Sequence, residues 1–148
     1  MSTPVDAILN SCSIERVWFV WTELSNDDDD DRLRDAVSDA VGLNYGAHYD
    51  RVCFESGAGT QFYRSRAGSI DGEKNETVSL AARVLTFSIP QDPSLLAIAI
   101  EAIREYHSYE EPVIYVLDGY ATRADYANDR DNPNRFWNRE TPLEGVLK

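Results

Sequence analysis

The sequence predicts an α+β domain in which an antiparallel sheet is built from two β-α-β halves and both helices lie on one sheet face. Two observations carry this. Two segments with apolar residues at i, i+3/i+4 spacing are separated by runs rich in β-branched and aromatic residues, so helices alternate with strands. The 148 residues, 43% apolar and 27% charged, suffice for one packed domain and are short for two.

Residues 1–14 read as an N-terminal arm, in which Thr3 and Pro4 start a helical turn or two with Val5, Ile8, Leu9 and Cys12 on one side. Arg16 to Leu24 is the first strand, apolar on both faces: Val17, Phe19 and Trp21 on one, Trp18, Val20 and Leu24 on the other. Five aspartates, Asp27 to Asp31, follow; the earlier ones form a loop, and negative charge favours the N-terminus of a helix over Asp30 to Val41 that Gly42 stops. Tyr49 to Glu55 and Gly59 to Arg64 read as two strands joined through Gly57-Ala58-Gly59 by a tight hairpin or bulge, the hairpin being preferred. A turn-rich loop over Ala67 to Asn75 leads to a long strand, Thr77 to Ile89, again apolar on both sides. Asp92 caps the second helix and Pro93 opens it, where a missing N–H costs nothing. Its stripe of Leu95, Leu96, Ala99, Ile100, Ile103 and Tyr106 ends near His107, because Pro112 disfavours helix before it. Val113 to Leu117 is a short apolar closing strand, and residues 120–148 form a polar tail anchored by Phe136 and Trp137. With the third strand as a hairpin extension, residues 15–119 give the βαββαβ order of a ferredoxin-like domain.

Composition excludes several classes. Fourteen Lys and Arg against 26 Asp and Glu leave a net charge of −12, the wrong sign for a nucleic-acid backbone or an anionic membrane surface. No apolar run approaches the ~20 residues of a membrane span, and no basic start precedes an apolar stretch as in a secretory signal. Two cysteines, Cys12 and Cys53, cannot make a disulfide framework, so a reduced cytoplasmic setting is expected. No Ser/His/Asp or Cys/His spacing suggests nucleophilic catalysis, and no enzyme activity is expected.

The two-sided strands have a consequence. Helices on one face leave Phe, Trp, Val and Leu of the other face wet, beyond the few hundred Å² usually tolerated. The covers available are a second copy of the chain, the tail, or another protein. A homo-oligomer, dimer or trimer, is the expected one, since closed homo-oligomers are the commonest soluble assemblies.

The junction His107-Ser108-Tyr109-Glu110-Glu111-Pro112-Val113 resembles the His-x-Tyr-Glu-x-Pro junction of CutA proteins. It is closer still to the His-Pro-Tyr-Glu-Glu-Pro junction in the inserted domain of YqfO-type Nif-like proteins. Upstream, Tyr49-Asp50, Phe54, Gly57-Ala58-Gly59-Thr60 and Gly72-Glu73 are similar to that domain's landmarks in order and spacing. Ser108 stands where proline is usual, and Arg66-Ala67-Gly68-Ser69 replaces a Gly-Ala-Asn-Pro type loop. The resemblance implies a free-standing CutA-like (PII-like) module. Such modules commonly form trimers and bind small anionic ligands in inter-subunit clefts. The two-metal site of full-length YqfO-type proteins lies on a flanking domain that has no counterpart here.

Candidate site residues follow from the junction and its surroundings. His107 is either a metal ligand or proton carrier, having a pKa near neutrality, or the cap that orients the turn to Pro112. Tyr109 and Glu110 join it as ligand-binding candidates, although adjacent Glu110 and Glu111 diverge and solvated carboxylates are the plainer reading. Gly59 and Thr60 belong to a glycine-rich link whose backbone N–H groups suit a phosphate, and Arg64 with nearby Arg66 favours an anionic small molecule. For metal, His107 and Cys53 are the candidates, with His48 and Cys12 as possible companions; no Cys-x-x-Cys or His-x-x-x-His spacing supports a site, and no cofactor is expected beyond a possible divalent metal. The Asp27–Asp31 run lacks the glycine and distal glutamate of a calcium loop.

Overall fold

The computed structural model describes residues 1–28 and 30–125. Phe136 and Trp137, expected as anchors of the tail, lie outside the described residues, as does Asp29 of the aspartate run. By their contacts the described residues form two units: Val17–Gly119, and Met1–Arg16 with residues 120–125.

The strands are β1 (Cys12–Ser25), β2 (Phe54–Glu55), β3 (Gly59–Tyr63), β4 (Val78–Pro90) and β5 (Ile114–Ala124), and the helices are α1 (Asp30–Val41) and α2 (Pro93–Tyr106). The sheet is five-stranded, ordered β2-β4-β1-β5, with β3 also on β4. β1 runs antiparallel to β4, pairing Val20 with Phe87 and Trp21 with Thr86. With both helices packed on the antiparallel sheet this is the α+β, ferredoxin-like architecture the sequence predicts. β1 and β5 reach further than their apolar cores. β1 begins at Cys12, inside the expected arm, and β5 continues to Ala124, inside the expected tail, because polar residues at strand ends still join a ladder.

Core placement follows strand alternation. Val20 and Leu24 of β1, and Leu85, Phe87 and Ile89 of β4, face Leu33 and Val37 of α1 and Ala99, Ala102 and Ile103 of α2 in one buried cluster. Leu95, Leu96 and Ile114 pack against its border. Asp92 caps α2 as expected, its carboxylate accepting the Ser94 N–H at 2.8 Å.

Two details correct the sequence reading. The strand expected over Tyr49 to Glu55 is reduced to Phe54–Glu55. Gly42 (φ 75°) and Leu43 (φ 50°) are left-handed, which turns the chain back and inserts Leu43, 2% exposed, into the core. Arg51 is left-handed too (φ 56°). Its N–H donates to Gly42 O at 2.9 Å and its guanidinium pairs with Asp35 and Asp39, so residues 43–52 clip onto the end of α1 instead of extending.

The second correction concerns Gly57-Ala58-Gly59, which makes no hairpin. β2 and β3 both pair with β4 in the same direction. Glu55 lies opposite Leu85 and Gly59 opposite Ala82, so three residues, Ser56 to Ala58, face two, Arg83 and Val84. This is a bulge in one edge strand. Ser56 mends the ladder across it: its N–H donates to Val84 O at 2.9 Å, and its hydroxyl accepts the Val84 N–H at 2.8 Å.

In the second unit, Thr3 N–H donates to Asp6 Oδ2 at 2.6 Å around a single 3-10 turn, Pro4–Asp6. Asp125 N–H donates to Ser11 O at 2.8 Å, and Arg123 pairs with Glu15 at 2.6 Å.

Candidate functional site

The bulge and the α2–β5 junction bring two loops together beside the sheet face opposite the helices. The register puts Gln61 opposite Leu80 and Tyr63 opposite Val78, so these four side chains share that face. Beyond Tyr63 the chain leaves the sheet and turns through residues 64–77. Gly68 (φ 95°) and Gly72 (φ 73°) supply left-handed turns, and Ser69 N–H donates to Arg66 O and Lys74 N–H to Ser65 O. The loop is fastened from outside by Glu110, whose carboxylate accepts the Ile70 N–H at 3.1 Å. Between them lies a cavity of about 540 Å³, lined by Tyr63, Arg64, Arg66, Leu80, Tyr109 and Glu110 among others.

The charges in the cavity are unequal in their commitments. Elsewhere, Arg34 pairs with Asp31, Arg51 with Asp39, Arg104 with Glu111 and Arg123 with Glu15, while Arg32 stacks on Tyr106. Among the described residues, Arg64 and Arg66 have no such partner. The Tyr109 hydroxyl is shut off from solvent with no hydrogen-bond partner among the described residues, and burial raises its pKa.

His107 stands behind the cavity. It ends α2, its own N–H donating to Ile103 O at 2.9 Å. Its ring accepts the Tyr109 N–H at Nδ1 (3.1 Å), and Nε2 lies 2.8 Å from Glu23 O in β1. An amide N–H only donates, so Nδ1 carries the lone pair and Nε2 the proton. Both ring nitrogens are engaged, and the ring packs on that of Tyr109 at 4.7 Å between centroids. Burial lowers its pKa, outweighing the Glu23 carbonyl and Asp28.

The structure therefore gathers Arg64, Tyr109 and Glu110, with His107 supporting them, and leaves other candidates apart. Gly59 and Thr60 sit in β3 opposite Ala82 and Ala81 and are not among the residues that line the cavity. Cys53 packs against the core border with its thiol pKa raised by burial. Both cysteines are free, and no three His, Cys, Asp or Glu among the described residues gather as metal ligands. Sequence reasoning missed Tyr63, Leu80 and Val113 of the lining. Period-2 alternation from Gln61 carried a signal for Tyr63. The Glu110–Ile70 bond, spanning 40 positions, carried none.

No family model matches the sequence, and no curated protein is similar to it at a meaningful level. Solved structures are similar to it. A Bacillus cereus protein related to NIF3 is 22% identical with a TM-score of 0.59, the match covering 76% of this chain and 28% of that one. CutA from Synechococcus elongatus is 15% identical with a TM-score of 0.54, over 74% of this chain and 85% of that one. The divalent ion tolerance protein CutA1 from Ehrlichia chaffeensis is 13% identical with a TM-score of 0.53, over 71% and 82%. The present chain thus spans under a third of the NIF3-related protein and most of each CutA. Order of elements, helices on one face and these likenesses agree: the chain has a CutA-like fold.

Proposed function

We propose that the protein is a non-enzymatic binding module, working as an assembly of its own copies, that takes a small anionic ligand in the cavity between residues 63–71 and 109–113. The observation that carries the reading is the pair of uncommitted guanidiniums, Arg64 and Arg66, lining a cavity in a chain of net charge −12. An acidic protein ordinarily spends its arginines on neighbouring carboxylates, as four others here do. Two left over side by side favour a ligand that brings its own negative charge, held by forked hydrogen bonds. The Tyr109 ring, Leu80 and Val113 add apolar wall. The lining also carries Asp71, Glu110 and Glu111, of which Glu110 is engaged by the Ile70 N–H and Glu111 by Arg104, so a small anion is favoured over a polyanion. Nothing in the lining forms a nucleophile–base pair, which favours binding over catalysis.

Calorimetric titration with pyrophosphate and citrate tests the reading. Binding by wild type that weakens at least about tenfold in the Arg64→Ala/Arg66→Ala variant is expected, since a charge-assisted hydrogen bond is worth about 1.5–3 kcal/mol. Equal affinity in both proteins overturns it.

A further inference from the structure

We propose that His107 is an acid-released latch on the cavity: the neutral ring holds the α2–β5 junction closed, and a second ring proton opens it. The ring joins two parts of the structure through opposite polarities. Nε2–H donates to Glu23 O of β1 at 2.8 Å, and Nδ1 accepts from Tyr109 N–H of the junction at 3.1 Å. An imidazolium has an N–H at both positions. Protonation therefore sets a ring N–H against the Tyr109 N–H, and that bond breaks. The Tyr109 ring packs tilted against the same ring and lines the cavity, and the adjacent Glu110 accepts the Ile70 N–H of the loop that forms the other wall. One proton on His107 thus acts on both sides of the cavity through two consecutive residues.

The surroundings decide when this happens. Facing the ring region are Asp28 from the turn after β1, Arg32 from α1, Tyr106 from α2, Ser108 and Tyr109 from the junction, and the Glu23 carbonyl from β1. Asp28 favours the charged ring, but its carboxylate already accepts the Ser108 hydroxyl at 2.6 Å, and Arg32 opposes it. Burial outweighs the Glu23 carbonyl and Asp28 and lowers the pKa. The sign follows: a histidine whose folded pKa lies below its unfolded value of ~6.5 leaves the closed form fully stable above pH ~6.5 and weakens it progressively as pH falls towards the folded pKa. The latch acts on the free protein, so its test needs no ligand and stands apart from the fate of the anion reading.

The experiment is an NMR pH titration of the full chain, with the His107 signal assigned by its loss in His107→Gln and the same chain unfolded in concentrated urea as reference. Wild type is expected to show the Nε2–H tautomer at pH 8 and a His107 midpoint below the unfolded-chain value of ~6.5. At the His107 midpoint the Ile70 amide should lose its hydrogen-bonded shift and exchange with water faster. In His107→Gln, which keeps a donor for Glu23 and cannot titrate, the Ile70 change should vanish from that pH range. The proposal is overturned if His107 titrates at or above its midpoint in the urea-unfolded chain, if Ile70 is unmoved across the His107 midpoint, or if His107→Gln shows the same Ile70 transition. Should His107→Gln fail to fold, the wild-type comparison of the His107 and Ile70 midpoints decides alone.

Discussion

Tyr109 carries a polar group at the expense of stability. The Tyr109 hydroxyl is buried without a partner among the described residues, which costs the free protein about 1–3 kcal/mol. Tyr109→Phe is therefore expected to raise the urea midpoint of the free protein; a lowered midpoint would show that the hydroxyl has a structural partner. The core behaves conventionally. Ile103 is fully buried between the helices and the sheet, so Ile103→Ala should cost about 2–5 kcal/mol in equilibrium unfolding. At this scale the sequence was legible wherever a residue's role depended on its own chemistry and spacing. Ile103 and Val37 declare themselves by helical period, and Arg64 by charge. Tyr109 declares only that it is aromatic; whether its hydroxyl finds a partner depends on residues 40 to 80 positions away.

Among the elements, α1 and α2 were legible almost to the residue, because capping and stop signals are local: Asp92 and Pro93 open α2, and Gly42 closes α1. Asp92→Ala is expected to cost about 0.5–2 kcal/mol by losing the bond to Ser94 N–H, read from thermal unfolding. The edge strand was misread because a bulge and a hairpin use the same glycine-rich chemistry, and only the partner strand tells them apart. Arg51 illustrates the same limit. Its left-handed backbone and its grip on Asp35 and Asp39 dissolve a strand that Tyr49 to Glu55 otherwise spells out. Close approach between strands is another property no local pattern encodes. A Cβ added at Gly119 of β5 would lie 2.4 Å from the ring of Phe19 in β1. Gly119→Ala should then destabilise by about 1–3 kcal/mol, and Phe19→Leu in the same chain should recover most of it. Additive losses in the double variant would place the cause elsewhere.

For the whole molecule, the two-sided strands predicted an unhelped sheet face, and the structure shows which residues it carries. Phe19, Trp21, Phe54, Tyr115 and Leu117 are each more than a third exposed on the side away from the helices. Five large apolar side chains on one face favour association of copies. Light scattering on the purified chain is expected to give two or three chains per particle, and Trp21→Glu should return it to one; a wild-type monomer at micromolar concentration contradicts the assembly. Acidity gains a sharper meaning too. Against a net charge of −12, Arg64 and Arg66, without a carboxylate partner among the described residues, are the feature that an anionic ligand would read. Native mass spectrometry of wild type beside Arg64→Ala/Arg66→Ala, each with added pyrophosphate, examines assembly and ligand together. A multimer mass carrying a discrete anion, with the anion lost from the variant, is the predicted result; a one-chain mass, or identical spectra from the two proteins, would contradict it.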